Sequence, residues 1–222
     1  MGDGLLTNRD LKKKRMLMYF IEAAQKIMET EGIDAITLRK VADIAGYNSA
    51  TLYNYFKNLD HLLLFASMKY LRLYNVETAQ KVVLCENERE KFYTMWMVFC
   101  KYSFVYPQPF HRIFFDKHSS ELEAISKQYY EIFPEDLGDE VESLSEIFSG
   151  TRLDARNRII LDRLSKHEGL QWKNIDLMNE MMIALYHDLL LQKISEPDGG
   201  HDADYYTAKM KDYIDFIIEN AR

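Results

Sequence analysis

The sequence predicts an all-α protein, on three observations. Nine glycines and four prolines in 222 residues leave few helix breakers. Apolar residues recur at spacings of three and four over long stretches, the pattern of one buried helix face. Capping residues punctuate these stretches: Thr37, Asn48 and Asn58 open segments, and Gly32, Gly46 and Gly169 close them. The length is enough for one large domain or two small ones, with ample material for a core. The division is expected at residues 1–57 and 58–222.

The first helix is expected over Asp10–Thr30, where Leu17, Phe20, Ile21, Ala24, Ile27 and Met28 form one stripe. Thr37 then caps a short helix whose Leu38, Val41 and Ala42 share a face, and Gly46 ends it where a left-handed residue is needed. Asn48 caps a second short helix over Ser49–Tyr55, with Leu52 and Phe56 turned to the core and Ser49, Tyr53 and Asn54 turned elsewhere. Helix, glycine turn and short helix make a helix-turn-helix, whose second member lies in the major groove of DNA. The first helix covers the pair, so functional work falls to the polar face.

The residues Thr37, Val41, Ala42, Ala45, Gly46, Tyr47, Asn48, Thr51, Leu52, Tyr53, Tyr55, Phe56 and Leu62 resemble the DNA-binding domain of the TetR family of bacterial transcriptional regulators. The resemblance covers residues 10–65, and its middle, A-G-x-x-x-x-T-L-Y-x-Y-F, is specific. Two positions depart from the pattern. Tyr47 stands where a small β-branched residue is usual, and Leu59 where a phosphate-contacting lysine is common; Lys57 can supply that contact.

Candidate DNA contacts follow. Asn48, Ser49, Ala50 and Asn54 can reach base edges, Asn pairing with adenine and Ala50 packing on a thymine methyl. Asn48 also serves as a cap. By the resemblance, Thr51 and Tyr53 bring hydroxyls to phosphates, though Tyr53 can also be read as a core residue. Tyr55 either reads a base or packs beneath the next helix. Arg39 resembles a family position that reaches DNA, or it pairs with Asp43 four residues on. Thr37 belongs to the same set.

The formal net charge of −7 conceals an asymmetry. Residues 1–60 hold nine Lys/Arg against eight Asp/Glu, and the remainder 19 against 27. Lys12, Lys13, Lys14 and Arg15 crowd the start of the first helix, where cations oppose the helix dipole. A phosphate backbone nearby gives Lys12 and Lys14 a reason to be there; a solvated helix entry is the plainer reading.

A long helix is expected over Asn58–Leu84, leading from the DNA-binding part into the rest without a Gly, Pro or Ser linker. Further helices are expected over Glu88–Tyr106, stopped by Pro107 and Pro109, then Phe110–Lys117, Ser120–Phe133, Asp139–Phe148 and Thr151–His167. The stretch Phe92–Phe133 is rich in aromatics, which serve equally as core or as the wall of a ligand cavity. The resemblance implies an effector site here, and Trp96, Phe99, Cys100, Ser103, His111, Phe114, Phe115, Tyr129, Phe133 and Tyr186 are its candidates.

The last helices, Ile175–Ile194 and Ala203–Asn220, are apolar on more than one side. Met178, Met182, Leu185 and Leu189, with Tyr206, Met210, Tyr213 and Ile217, are candidates for a four-helix dimer interface, which the resemblance also implies. Intrachain packing is the alternative.

No apolar run of about 18 residues suggests a membrane span. The basic tetrad before Met16–Ile21 is not read as a signal peptide, because Glu22 interrupts the apolar run. A cytoplasmic protein is expected, with Cys85 and Cys100 reduced. Cys100, His111, Asp116 and His118 lack a metal-ligand spacing, His187-Asp188 is no relay, and Gly199-Gly200 is a turn. Neither metal, cofactor nor catalysis is expected. The resemblance implies a homodimeric regulator, a repressor released from a near-palindromic operator by a small molecule. An architectural DNA binder without an effector, or a protein-interaction module on the same fold, are the alternatives.

Overall fold

The computed structural model describes residues 7–117, 119–134, 152–169, 172, 174–196 and 200–220. Among these there are ten α-helices and no strand. They are α1 (Asn8–Glu31), α2 (Leu38–Ala45), α3 (Ser49–Leu52), α4 (Leu59–Val82), α5 (Glu88–Val105), α6 (Pro107–Phe114), α7 (Leu122–Ile132), α8 (Leu153–His167), α9 (Ile175–Ser195) and α10 (Ala203–Asn220). The helix expected over Asp139–Phe148 lies outside the described residues. The chain forms two compact units. The first holds the described residues up to Lys69 together with those of α7 from Ala124 onward; the second holds the others. The first unit therefore reaches past the boundary expected at residue 57 and includes a later segment.

In the first unit, α1 begins at Asn8 because Thr7 and Asp10 form a reciprocal capping box, two residues ahead of the expected start. The expected stripe is buried, with Phe20, Ile21 and Ala24 fully enclosed. A 3₁₀ turn at Ile33–Ala35, absent from the sequence reading, leads to α2. Thr37 caps α2 by accepting the Lys40 amide at 3.2 Å. Gly46 closes it in the left-handed conformation, φ 79° and ψ 27°, which a Cβ would disfavour. The start of α4 joins the same core: Asn58 accepts the His61 amide at 2.8 Å, and residues 61–68 are all buried. Gln25 donates to the Ala66 carbonyl at 3.4 Å, and Lys69 pairs with Glu29.

In the second unit, α5 packs against α8 and α10, and α9 against α6, α8 and α10. Asn87 caps α5 through the Glu90 amide at 2.9 Å. Pro107 and Pro109 do end α5, but they also begin α6 at Pro107, three residues before the expected start. The first helical turn has no use for the amide that proline lacks.

The expected interface stripe needs correction. Met178, Met182, Leu189, Tyr206, Met210 and Ile217 are buried within the single chain, and Leu185 and Tyr213 are half-buried. The neighbouring faces are the ones left in solvent. Leu177 (52% exposed), Met181 (39%) and Leu191 lie on α9, and Tyr205 and Phe216 (65%) on α10. Both helices are apolar on two sides, and packing against α5, α6 and α8 uses one of them.

Across α4 and α5, Lys101 bonds both carboxylate oxygens of Glu77 at 2.9 and 2.8 Å, Tyr102 donates at 2.6 Å, and Lys81 pairs at 2.8 Å. Burial alone would raise the Glu77 carboxyl, but these donors hold it at about 2 against an ordinary 4.5. A depressed carboxylate stabilises the fold above its ordinary value and loses that contribution as pH falls through the folded one. Urea unfolding between about pH 5 and pH 2 checks this: Glu77→Gln is expected to flatten the acid limb of stability against pH and to lower stability at neutral pH.

Candidate nucleic-acid interface and ligand cavity

The candidate DNA-reading segment is short and held from outside. Asn48 Oδ1 accepts both the amide and the hydroxyl of Thr51 at 2.9 Å, so α3 starts where expected. It ends at Leu52 rather than Tyr55. The amides of Asn54 and Tyr55 bond the carbonyls three residues back, at 3.1 and 3.0 Å, tightening the last turn. Leu52 and Phe56 are buried as expected. The Phe56 ring lies 6.3 Å from Phe20, 5.7 Å from Phe65 and 6.0 Å from His61, each edge to face.

Around that anchor, Ala50, Tyr53 and Asn54 are exposed and Ser49 is half-buried. Tyr53 is 59% exposed, which removes the reading of it as core. Tyr55 is half-buried with its ring 6.0 Å from Phe20, so it packs in the unit. The hydroxyls of Thr37 and Thr51 are engaged in the caps. Arg39 projects into solvent with Asp43 at 3.9 Å, a loose pair with little to lose. Lys57 is exposed one position before Asn58.

The basic tetrad divides. Lys12 is exposed, whereas Lys13 and Lys14 line a groove of about 360 Å³ with Asp10, Leu17 and, from α7, Gln128, Glu131 and Ile132. Two tyrosines were not among the candidates. Tyr47, in the turn before α3, stacks on Tyr19 at 6.4 Å and tilts against Phe20 at 5.7 Å, and both tyrosines remain exposed. The departure at Tyr47 was the available signal; Tyr19 looked like any polar-face residue of α1.

The candidate effector residues fall into two groups. In the second unit, Tyr186 sits among Trp96, Phe99, Phe104 and Phe115, with ring separations of 4.8–6.2 Å. Trp96 and Phe99 border a cavity of about 30 Å³, completed by Tyr74, Met95, Leu153, Arg156, Asn157 and Ile160. Phe114 and Phe115 border a larger groove of about 500 Å³ with Arg152, Leu153, Asp154, Glu180 and His187. Cys100 and Ser103 are buried behind these rings, and burial pushes the Cys100 thiol up. His111 stacks 5.6 Å from His187, and His187 lies flat on Phe115 at 3.9 Å. Burial lowers both imidazoles, so they are neutral at pH 7. Tyr129 and Phe133 form a second group: their rings are 4.9 Å apart, and their helix segment belongs to the first unit. They do not line either cavity.

A buried polar relay crosses the second unit. Trp96 Nε1 donates to Asn157 Oδ1 at 2.9 Å, Asn157 Nδ2 to Asn179 Oδ1 at 2.8 Å, and Asn179 Nδ2 to the Asp154 carbonyl at 3.1 Å. Both cysteines are free. Among the described residues no group of three or more His, Cys, Asp or Glu is placed to hold a metal ion, and no helix is long and apolar enough to cross a membrane. His118 and Gly199 lie outside the described residues.

The first unit thus has the build of a helix-turn-helix DNA-binding domain. Residues 20–65 match the family described as "Bacterial regulatory proteins, tetR family", which identifies this unit as a TetR-family DNA-binding domain. The whole chain shares its fold with solved regulators. It is similar to Thermus thermophilus FadR, a TetR family transcriptional repressor in complex with lauroyl-CoA. The identity is 15% and the TM-score 0.57, over 89% of this chain and 92% of that one. The fatty acid degradation regulator FadR from Bacillus halodurans matches at 14% identity and TM-score 0.54, over 93% and 96%. RolR in complex with resorcinol matches at 15% and 0.53, over 95% of each chain. No curated protein matches the chain in sequence. The chain has the fold of TetR-family transcriptional regulators.

Stability measurements separate caps from DNA-facing residues. Asn48→Ala is expected to cost about 1 kcal/mol in chemical unfolding, because an orphan amide of α3 loses its partner. Tyr53→Ala is expected to stay within about 0.5 kcal/mol of wild type, because its side chain is mostly in solvent.

Proposed function

We propose that this protein is a homodimeric transcriptional repressor that leaves a near-palindromic operator when a small molecule occupies its second unit. The observation that carries this reading is the exposed Ala50, Tyr53 and Asn54 on a doubly capped helix-turn-helix, inside the stretch that matches the tetR family. In this reading Asn48, Ser49, Ala50 and Asn54 meet base edges, and Thr51 and Tyr53 meet phosphates. Lys12, Lys57 and Arg39 add backbone contacts. Two such units related by a two-fold axis would enter successive major grooves, about 34–36 Å apart. The compartment would be the cytoplasm, where a bacterial operator is found.

Dimerisation is assigned to the exposed faces of α9 and α10. Leu177, Met181 and Phe216 cost free energy in water and would be covered by their copies. Effector control is supported by the fold neighbours solved with lauroyl-CoA and with resorcinol, and by the aromatic surroundings of Tyr186. The helix α4 supplies residues to both units without interruption, so a displacement at Tyr74 can be passed toward Leu62–Phe65. The effector acts only through its differential affinity for DNA-competent and incompetent forms. One observation favours an effector-independent architectural binder instead: the enclosed cavity is only about 30 Å³.

Fluorescence anisotropy with a labelled fragment of the protein's own promoter tests the DNA reading. Selective binding is expected, with log K falling by about 0.9 per neutralised phosphate against log salt. Tyr53→Ala should weaken it about tenfold, the equivalent of one lost charge-assisted contact. Equal, weak binding to promoter and unrelated DNA would overturn the reading. Light scattering tests the assembly: wild type should run at twice 26.3 kDa. Phe216→Asp with Met181→Asp should return the monomer.

A further inference from the structure

The helix α8 carries three arginines with different surroundings. Arg152 grips Asp154 through two hydrogen bonds of 2.9 and 2.8 Å at the surface. Arg158 pairs with Asp162 and Asp176, also near the surface. Arg156 turns inward. It is 5% exposed, its guanidinium lies 5.3 Å over the Phe114 ring, and it lines the cavity with Tyr74, Trp96, Phe99 and Asn157. Taking a guanidinium out of water is costly, and its five N–H donors match a carboxylate in two-point geometry. Asn157 is spent on Trp96 and Asn179, so Arg156 is the charged group that borders the cavity.

The neighbouring groove explains how so small a cavity can take a ligand. Leu153 belongs to the walls of both, and Phe114, under the Arg156 guanidinium, lines the groove. A side-chain movement at Leu153 would join the two spaces, about 30 and 500 Å³. The groove's acidic side chains are Asp154, already held by Arg152, and Glu180. The joined site would be apolar along its length, charged at its inner end and closed to cations.

We propose that the effector of this protein is a small organic carboxylate, entering through the Phe114–Phe115–His187 groove and placing its anionic head against Arg156 and its apolar body among Trp96, Phe99 and Leu153. This rests on the reading of the second unit as an effector site. Occupation would press on Tyr74 of α4, whose ring is 5.3 Å from Phe99.

The test uses the full-length protein with Trp172→Phe, which leaves Trp96 as the one tryptophan of the chain. Its emission is titrated with octanoate, decanoate, phenylacetate and 3-phenylpropionate, with the primary amide of each, and with octyl phosphate. At least one carboxylate should bind about tenfold or more tightly than its amide, as expected for a charge-assisted contact. Arg156→Met should erase that preference, and Arg156→Lys should keep part of it. If Arg156→Met fails to fold, the acid-to-amide ratio on the Arg156 protein still decides. Binding by no carboxylate, equal binding of acid and amide, or tighter binding of octyl phosphate than octanoate would overturn the proposal. The operator fragment separates the two layers. A neutral compound that releases DNA would sink the carboxylate assignment and leave effector control standing. Carboxylate binding that leaves DNA affinity unchanged would do the reverse.

Discussion

A helix of four residues cannot hold itself together in water, because fixing the first turn costs more than its few hydrogen bonds return. The geometry of α3 is therefore imposed by the burial of Leu52 and Phe56. Phe56 meets Phe20 of α1 and Phe65 of α4, so one ring connects the segment proposed to read DNA to two long helices. The caps at Thr37 and Asn48 set where the short helices begin, and Gly46 sets the angle between them. Remove the buried rings and the exposed Ala50, Tyr53 and Asn54 would have no fixed position from which to recognise anything.

The same economy governs the second unit, where burial has to accommodate polar groups. The Trp96–Asn157–Asn179 relay satisfies each amide it buries, which makes it a rigid brace. Arg156 adds an ionised group beside that brace, in contact with aromatic rings. A core built for stability alone would place apolar residues there. Two helices, α4 and α7, have residues in both units, so the partition of the chain by compactness cuts across helices.

Local features were legible in the sequence because they depend on residues three or four apart. Thr37, Asn48 and Gly46 act as caps through bonds to amides and carbonyls of their own turn, and α10 runs over the expected Ala203–Asn220. The errors came where two local rules competed. Pro107 reads equally as a stop and as a first-turn residue, and only the packing of α6 against α5 and α9 makes it the latter. The contraction of α3 to Leu52 likewise comes from three-residue hydrogen bonds that propensity does not distinguish from a continuing helix.

By itself, then, the sequence determined the helical class, the helix-turn-helix, its caps and the residues available to a DNA face, since each rests on short-range periodicity. Tertiary structure decided which apolar stripe is spent inside the chain. On α9 and α10 it chose Met178, Met182, Tyr206 and Met210 for the core and left Leu177, Met181 and Phe216 outside. It also separated Tyr129 and Phe133 from Trp96 and Phe99, and turned Arg156 inward while Arg152 and Arg158 stayed near the surface. A helix with two apolar sides carries no internal mark of which side its neighbours will cover. That choice is made by contacts between residues far apart in the chain, where summed burial outweighs any local preference.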